Sequence, residues 1–570
     1  MADAPVVERC PAQRQPQAGE PVCVICGRYG EYVCDATDED VCSLECRDTC
    51  VSRQSQSQTT QSSQLQRDEE TLRRAQQLRS KLGIEVSAGS AADTGDHARN
   101  WPIPLVDFAQ QQHCVQLPAE LLANLVTNGF KRPTPVQMQT IPCVLQGHHI
   151  LVSAPTGTGK TASYLIPAIA QVLFAREEEN EKIVALVLAP IRELAIQIES
   201  VAKLLMKSIA NMKTALLVGG FPVPTQRYRL QNGVQVIVAT PGRFLDIFTN
   251  YGGGEAILAS IRTCVVDEVD MMLDVGFRPQ ISQIVALLAT LAKKTSHGVQ
   301  LLFFSATVSD EVEALVRQIL KAQSEQSYIR VNVGGSESKT AGRAQFSLNP
   351  RVHQQVRWVE DKAKKDELFT FLKGKSEEST LVFVGSKIGA SMLAEAIEKR
   401  CRIGAAATHG DKSQQERLTL LEAFINLEIP VLVSTNVLSR GMDLLHVQNV
   451  VVYDFPKKFT DYVHLIGRTG RGDEVPGNAL TLVNSEDRAH FRELVPLLRG
   501  VKVSVPHEVY QSIHSDNAKQ RSQSRELVVD ESKRAFRVRK QLNDEIGAPI
   551  SNWKEWNNQA SKRRRVGPYL

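Results

Sequence analysis

The chain has 570 residues, of which 42% are hydrophobic and 23% charged, and a formal net charge of +4. That composition is ordinary for a soluble globular protein, and at ~150 residues per domain the length allows three or four units. No apolar run approaches the roughly 20 residues that span a bilayer, and the opening MADAPVVERCPAQRQPQ has no apolar h-region, so neither a membrane span nor a secretory signal is expected, and a reducing compartment is.

Residues 1–20 read as disordered. Seven of the 11 cysteines then lie between Cys10 and Cys50. In a reducing compartment such a cluster indicates metal before disulfides. Cys23-x-x-Cys26 and Cys42-x-x-x-Cys46 have the ligand spacing of one tetrahedral zinc. A redox dithiol is disfavoured because no thioredoxin-like βαβ pattern surrounds the pair. Residues 21–52 are too few to fold without such a staple. The Gln/Ser run from Ser52 to Gln66 predicts a flexible linker, and Leu72, Ala75, Leu78 and Leu82 predict a short helix over Glu69–Leu82. Residues 53–100 are thus read as linker with a short helix.

From Ile150 onward short β-branched runs alternate with helical patterns: HILVSAP, VALVLAP, VQVIVATP, TCVVDEVD, VQLLFFSAT and, after Asn349, STLVFVGS, PVLVSTN and NVVVYDFP. Apolar strands of this length between helices predict parallel sheets covered on both faces. The texture runs in two blocks. The fold class is therefore α/β, with parallel-sheet domains over 101–335 and 351–505 joined by a hinge at 336–350. The polar tail, 506–570, carries the basic runs KRAFRVRK and KRRR, which suit nuclear import or nucleic acid, or an ordinary solvated tail.

Ligands of open α/β sheets bind at the carboxyl ends of the strands. APTGTGKT spans Ala154 to Thr161 directly after a strand. Thr156, Gly157, Thr158 and Gly159 form a phosphate-cradling loop, Lys160 is placed to reach the β- and γ-phosphates of ATP, and Thr161 to ligate Mg²⁺. Asp267 and Glu268 end the strand TCVVDEVD. Two adjacent carboxylates there suit a Mg²⁺ shell and the activation of an attacking water. Arg468 and Arg471, in HLIGRTGRG of the second block, suit arginine fingers that complete the site on domain closure.

In order and spacing these motifs resemble the DEAD-box RNA helicases over roughly Phe108 to Val505, which implies two RecA-like domains. The resemblance implies that Phe130, Thr134 and Gln137, in Gly129–Gln137, read the adenine with Phe108 stacking upstream, and that Gly441 and Asp443 meet the ribose side. It implies sequence-independent RNA contacts from Pro190, Arg192, Glu193, Gly219, Gly220, Thr240, Pro241, Gly242, Arg243, Gln414, Arg417, Thr435 and Arg440. It also implies that Asp270, Ser305, Thr307 and His464 couple hydrolysis to strand separation. Four positions depart from the family pattern: Ile191 for Thr, Val269 for Ala, Leu465 for Arg and Asn436 for Asp. None removes a catalytic group, so the expected weakness lies in RNA coupling, at Ile191 and Leu465.

The cysteine segment resembles a HIT-type zinc finger in YVC and VCSLEC. The resemblance implies a second zinc, but Thr37, Cys50 and Gln54 stand where its other ligands are usual. One zinc is expected, at Cys23, Cys26, Cys42 and Cys46, with Cys34 and Cys50 either free thiols or weaker metal contacts. The resemblances together imply an ATP-dependent RNA helicase, RNA-stimulated and monomeric in its core, using ATP, Mg²⁺ and Zn²⁺, with a protein partner on the finger and a nuclear or cytoplasmic site of action. The alternative is a slow-turnover RNA clamp that recruits partners through the finger.

Overall fold

The computed structural model describes residues 14–17, 19–89, 101–109, 116–178, 183–250, 254–292, 298–322, 327–334, 351–435, 447–470 and 476–513. The hinge 336–350, Asn436, Arg440, Gly441, Asp443, Arg471 and the basic tail lie outside the described residues. Among the described residues no helix is long and apolar enough to cross a membrane.

The finger opens with an antiparallel hairpin of β1 (Tyr32–Cys34) and β2 (Glu39–Val41). One helix then runs from Leu44 to Leu82. The backbone of the Gln/Ser run is therefore helical, and the short helix expected over Glu69–Leu82 is only its last third. Gln, Arg, Lys, Glu and Leu are all good helix formers, Ser43 caps the start by accepting from the amide of Cys46, and Gly83 ends it in the left-handed region at φ 63°. Propensity and capping outweigh the polarity that suggested a coil.

Gly83 turns the chain into β3 (Ile84–Ala88), which the sequence reading assigned to the linker. The first sheet follows as β4 (Ile150–Ser153), β5 (Val184–Leu188), β6 (Thr214–Leu217), β7 (Val236–Ala239), β8 (Ile261–Val266), β9 (Gln300–Ser305) and β10 (Ile329–Val333). Its order is β3-β10-β4-β9-β8-β5-β7-β6, parallel except where β3 pairs antiparallel with β10. The second sheet contains β11 (Val352–Trp358), β12 (Thr380–Phe383), β13 (Ala405–Thr408), β14 (Val431–Ser434), β15 (Asn449–Val452) and β16 (Gly477–Val483), all parallel, in the order β11-β16-β15-β12-β14-β13.

Both faces of each sheet are buried, as continuous apolar strands require. In β9, Leu302 and Phe304 enter one core while Leu301 and Phe303 enter the other. In β12, Leu381 and Phe383 do the same against Val382. Side chains alternate across a strand, so each strand anchors helices on both sides. Its carboxyl end is left as the exit where polar loops collect.

Candidate active site and nucleic-acid cleft

Three carboxyl ends meet at the phosphate loop. The loop leaves β4, turns at Gly157 (φ 79°) and Gly159 (φ 92°), and enters the helix Lys160–Glu178. A β-carbon at Gly159 would stand 2.5 Å from Gln137 Nε2, so only glycine fits. Gln137 is buried; its Oε1 accepts from the Thr134 amide at 3.0 Å and its Nε2 donates to the Gly159 carbonyl at 3.2 Å. The helix Pro135–Leu145 and the phosphate loop are thereby joined. Phe130 packs against the first-domain core, and Phe108 is buried within it among Leu105 and Leu121.

Lys160 donates to the Ala154 carbonyl at 3.0 Å and lies 3.7 Å from Glu268 Oε1. Glu268 sits in the left-handed region at φ 50°, a conformation that costs a non-glycine residue about 1–3 kcal/mol. It turns the chain from β8 into the helix Val269–Asp274 and so holds two successive carboxylates at one strand end. Asp267 accepts from the Tyr164 hydroxyl at 2.9 Å. Burial, then the neighbouring charge of Glu268, pushes Asp267 up to about 7. Tyr164, which carries no sequence signal beyond its helical position, is pushed well up by burial and then by Asp267.

The next turn faces the second domain. Asp270 Oδ2 accepts from the Thr307 hydroxyl at 2.7 Å and the Thr307 amide at 3.2 Å, and Ser305 donates to the Thr307 carbonyl at 2.6 Å. His464, from the second domain, brings Nε2 to 3.7 Å from the same Asp270 oxygen. A β-carbon at Gly467 would stand 2.9 Å from Thr156 Oγ1, so the second domain abuts the phosphate loop. Arg468 is fully buried, its Nε donating to the His464 carbonyl at 3.1 Å.

A cleft of about 1170 Å³ separates the domains beside this junction. Pro190, Arg192, Glu193, Gly219, Thr240, Gly242 and Arg243 line one wall, and Arg417 and Thr435 line the other. The Arg192 guanidinium lies over Gly219 and Gly220, where β-carbons would meet its nitrogens at 2.8 and 2.9 Å. Pro241 is buried at the start of its helix, and Arg243 donates to the Phe221 carbonyl at 3.1 Å. Glu193 receives Gln414 Nε2 at 2.9 Å and forms an ion pair with Arg417. These three residues, expected only as separate RNA contacts, clasp one another across the domain boundary. Sequence reasoning also missed Lys458, which bridges to Asp274 at 2.6 Å, and Gln226, whose side chain holds both the amide and the carbonyl of Val218 at 3.1 Å.

Three departures from the family pattern have a definite place in the structure. Leu465 is 1% exposed in the second-domain core and does not line the cleft. Its helix, Phe459–Ile466, turns that position inward. Val269 is likewise buried in the first-domain core. Ile191 lines the cleft and packs against apolar clusters of both domains.

In the finger, the sulfurs of Cys23, Cys26, Cys42 and Cys46 all lie within 4.8 Å of one another. Tetrahedral zinc with bonds near 2.3 Å needs separations of roughly 3.8 Å, so the set fits. The other cysteines satisfy themselves differently: the Cys50 thiol donates to Glu39 Oε2 at 3.1 Å and meets Thr37 Oγ1 at 3.4 Å, and Cys34 hydrogen-bonds Thr37.

Residues 134–315 match the DEAD/DEAH box helicase family, 363–473 the helicase conserved C-terminal domain and 19–48 the HIT zinc finger. DEAD-box ATP-dependent RNA helicase 41 of Arabidopsis thaliana is 40% identical over 87% of this chain and 93% of its own. Probable ATP-dependent RNA helicase DDX59 of Homo sapiens is 37% identical over 92% and 82%. Among solved structures, S. cerevisiae Dbp5 bound to RNA and ADP BeF3 is 27% identical with a TM-score of 0.55, over 71% of this chain and 97% of that one. Mss116p bound to ssRNA and AMP-PNP shares the fold at 24% identity and a TM-score of 0.60, over 69% and 78%.

Proposed function

The chain belongs to the DEAD-box ATP-dependent RNA helicases, and from that premise we propose that it couples ATP hydrolysis to closure of its two domains on an RNA backbone, opening short duplexes or remodelling RNA–protein complexes. The observation that carries the reading is the junction at Asp270. One carboxylate one turn from the hydrolytic pair holds Thr307 of its own domain and faces His464 of the other. In this reading a change at the phosphates reaches the domain boundary through Asp270, which is bonded to Thr307 and lies 3.7 Å from His464.

In this reading the backbone of Gly157 and Gly159 cradles the phosphates, Lys160 neutralises them, and Gln137 presents its amide to the adenine. The buried Glu268 Oε2, which accepts no hydrogen bond among the described residues, and the desolvated Asp267 fit a divalent cation and a water. Thr161 and Asp267 would hold Mg²⁺, which when bound neutralises charge developing on the phosphates. Glu268 orients the water, and Arg468 and Arg471 belong to the closed state. The cleft is lined by glycines, hydroxyls and arginines, which suit phosphate and 2′-OH contacts without base reading. Two named structures with this fold hold RNA, which supports RNA as the occupant. The finger, stapled by zinc at its four clustered cysteines, serves as a protein-docking module. Action in the nucleus or cytoplasm by a monomeric core is part of the same proposal.

ATPase turnover of the full chain with and without single-stranded RNA tests the reading. Stimulation by RNA, lost in Glu268→Gln, is expected; a rate indifferent to both would overturn it. A second reading, a slow-turnover clamp, is favoured by the Glu193–Arg417 clasp and by Ile191, which tie the two domains together beside the cleft. RNA dissociation slower than one ATP turnover would select it.

A further inference from the structure

The helix that leaves the finger does not stop at the edge of the first domain. Near its end Arg79 is turned into the domain, where Nε donates to Gln139 Oε1 at 2.8 Å and Nη2 donates to the carbonyls of Pro102 at 2.8 Å and Trp101 at 3.3 Å. All three acceptors are neutral. Burial lowers the pKa of Arg79, so the guanidinium gives up solvation for a fixed set of dipoles. A planar fork exchanged for water in this way fixes geometry more than it adds stability.

Gln139 is fully buried and itself donates to the Pro102 carbonyl at 2.9 Å. It lies two residues after Gln137 in the helix Pro135–Leu145. Two residues turn an α-helix by about 200°, so Gln139 and Gln137 leave opposite faces. One face is pinned by Arg79, and the other is bonded to the Gly159 carbonyl of the phosphate loop. The pin is itself anchored: immediately after Arg79, β3 pairs with β10 over all five of its residues, and the Gly334 amide closes on the Gly83 carbonyl at 3.1 Å.

We propose that Arg79 is a positioning residue for adenine recognition, setting the depth and rotation of the helix that carries Gln137. The proposal rests on the reading of Gln137 as the adenine contact. It makes the segment before the first domain part of the nucleotide site and gives the finger-bearing helix a bonded path to it.

The test is steady-state kinetics of the full chain at saturating RNA with ATP and with GTP. In Arg79→Met, which keeps the stem and loses the fork, KM for ATP rises about 3–10-fold, the loss expected for a displaced hydrogen bond. The value of kcat at saturation stays within about 2-fold, and the preference for ATP over GTP falls by the same factor as KM rises. Arg79→Lys, with one donor group for three acceptors, falls between the two, and it carries the same readout if Arg79→Met does not fold. An unchanged ATP:GTP preference overturns the proposal, as does a loss of kcat shared equally by both nucleotides, which would mark a purely structural role. Gln137→Ala separates the two levels. If it abolishes the preference while the Arg79 variants keep it, only the Arg79 proposal fails. If it leaves the preference intact, the adenine reading fails and takes the Arg79 proposal with it.

Discussion

The clasp between Glu193 and Arg417 offers a quantitative test of how the domains close. Glu193 is 5% exposed at the start of the helix Arg192–Leu205 and the Arg417 side chain is 11% exposed in the helix Gln414–Ile425. Glu193→Gln keeps the shape and removes the charge. Breaking a buried pair from one side costs about 3–5 kcal/mol. The amide oxygen of Gln still accepts a bond, and a hydrogen bond to a charged group contributes about 1.5–3 kcal/mol. A loss of about 1.5–2 kcal/mol from the closed state is therefore expected. At ~1.4 kcal/mol per decade, the closure equilibrium falls about 12–27-fold. The assay is kcat/KM for RNA-stimulated ATP hydrolysis, with closure followed by energy transfer between a dye on each domain. Arg417→Met alone and combined with Glu193→Gln completes a double-mutant cycle. A change of less than about 3-fold in Glu193→Gln, or strictly additive effects in the cycle, would refute the clasp as a closure element.

Ile191→Thr removes apolar contact with both domains, about 1–1.5 kcal/mol of closure at roughly 0.8 kcal/mol per methylene. Basal ATPase without RNA should fall several-fold while the ratio of RNA stimulation rises; an unchanged basal rate would count against the packing argument. Asp267 gives a pH dependence. Its folded value near 7 lies above the ordinary 3.8, so the ligand-free fold gains a stabilising contribution that is fully present below about pH 4 and lost as pH rises through about 7. Mg²⁺ must displace that proton, so Mg·ATP affinity should be about 10-fold weaker at pH 6 than at pH 8; calorimetric titrations with equal affinities would refute it. For the finger, elemental analysis should give about one zinc per chain, since only one set of four sulfurs converges among the described residues. Cys42→Ser should abolish it, and two zincs per chain would show that Cys34 and Cys50 ligate metal.

Several parts of this protein were legible because their chemistry needs neighbours in sequence. A phosphate loop is six to eight consecutive residues between a strand and a helix, a carboxylate pair at a strand end is adjacent by definition, and zinc ligands come in close pairs. Alternating apolar runs announced both parallel sheets. The helix Leu44–Leu82 is hard to see in the sequence because its low hydrophobicity masks its helix propensity and the Ser43 and Gly83 caps. Strand β3 was invisible because five residues without a partner in view, IEVSA, carry no signal until β10 supplies the edge.

What only the tertiary structure decided concerns contacts between residues far apart in the chain. Arg79 meets Gln139 across 60 positions, and Gln414 meets Glu193 across 221. Whether Leu465 faces RNA or a core depends on the rotation of one helix against a sheet, and whether Ile191 weakens RNA binding or ties two domains together depends on what lies opposite it. The sequence by itself determined the glycine-rich loop before Lys160, the Asp267–Glu268 pair and their order in the chain. The folded chain determined how they are held and which bonds cross the domain boundary, because position along a chain does not specify distance in space until the sheets have packed.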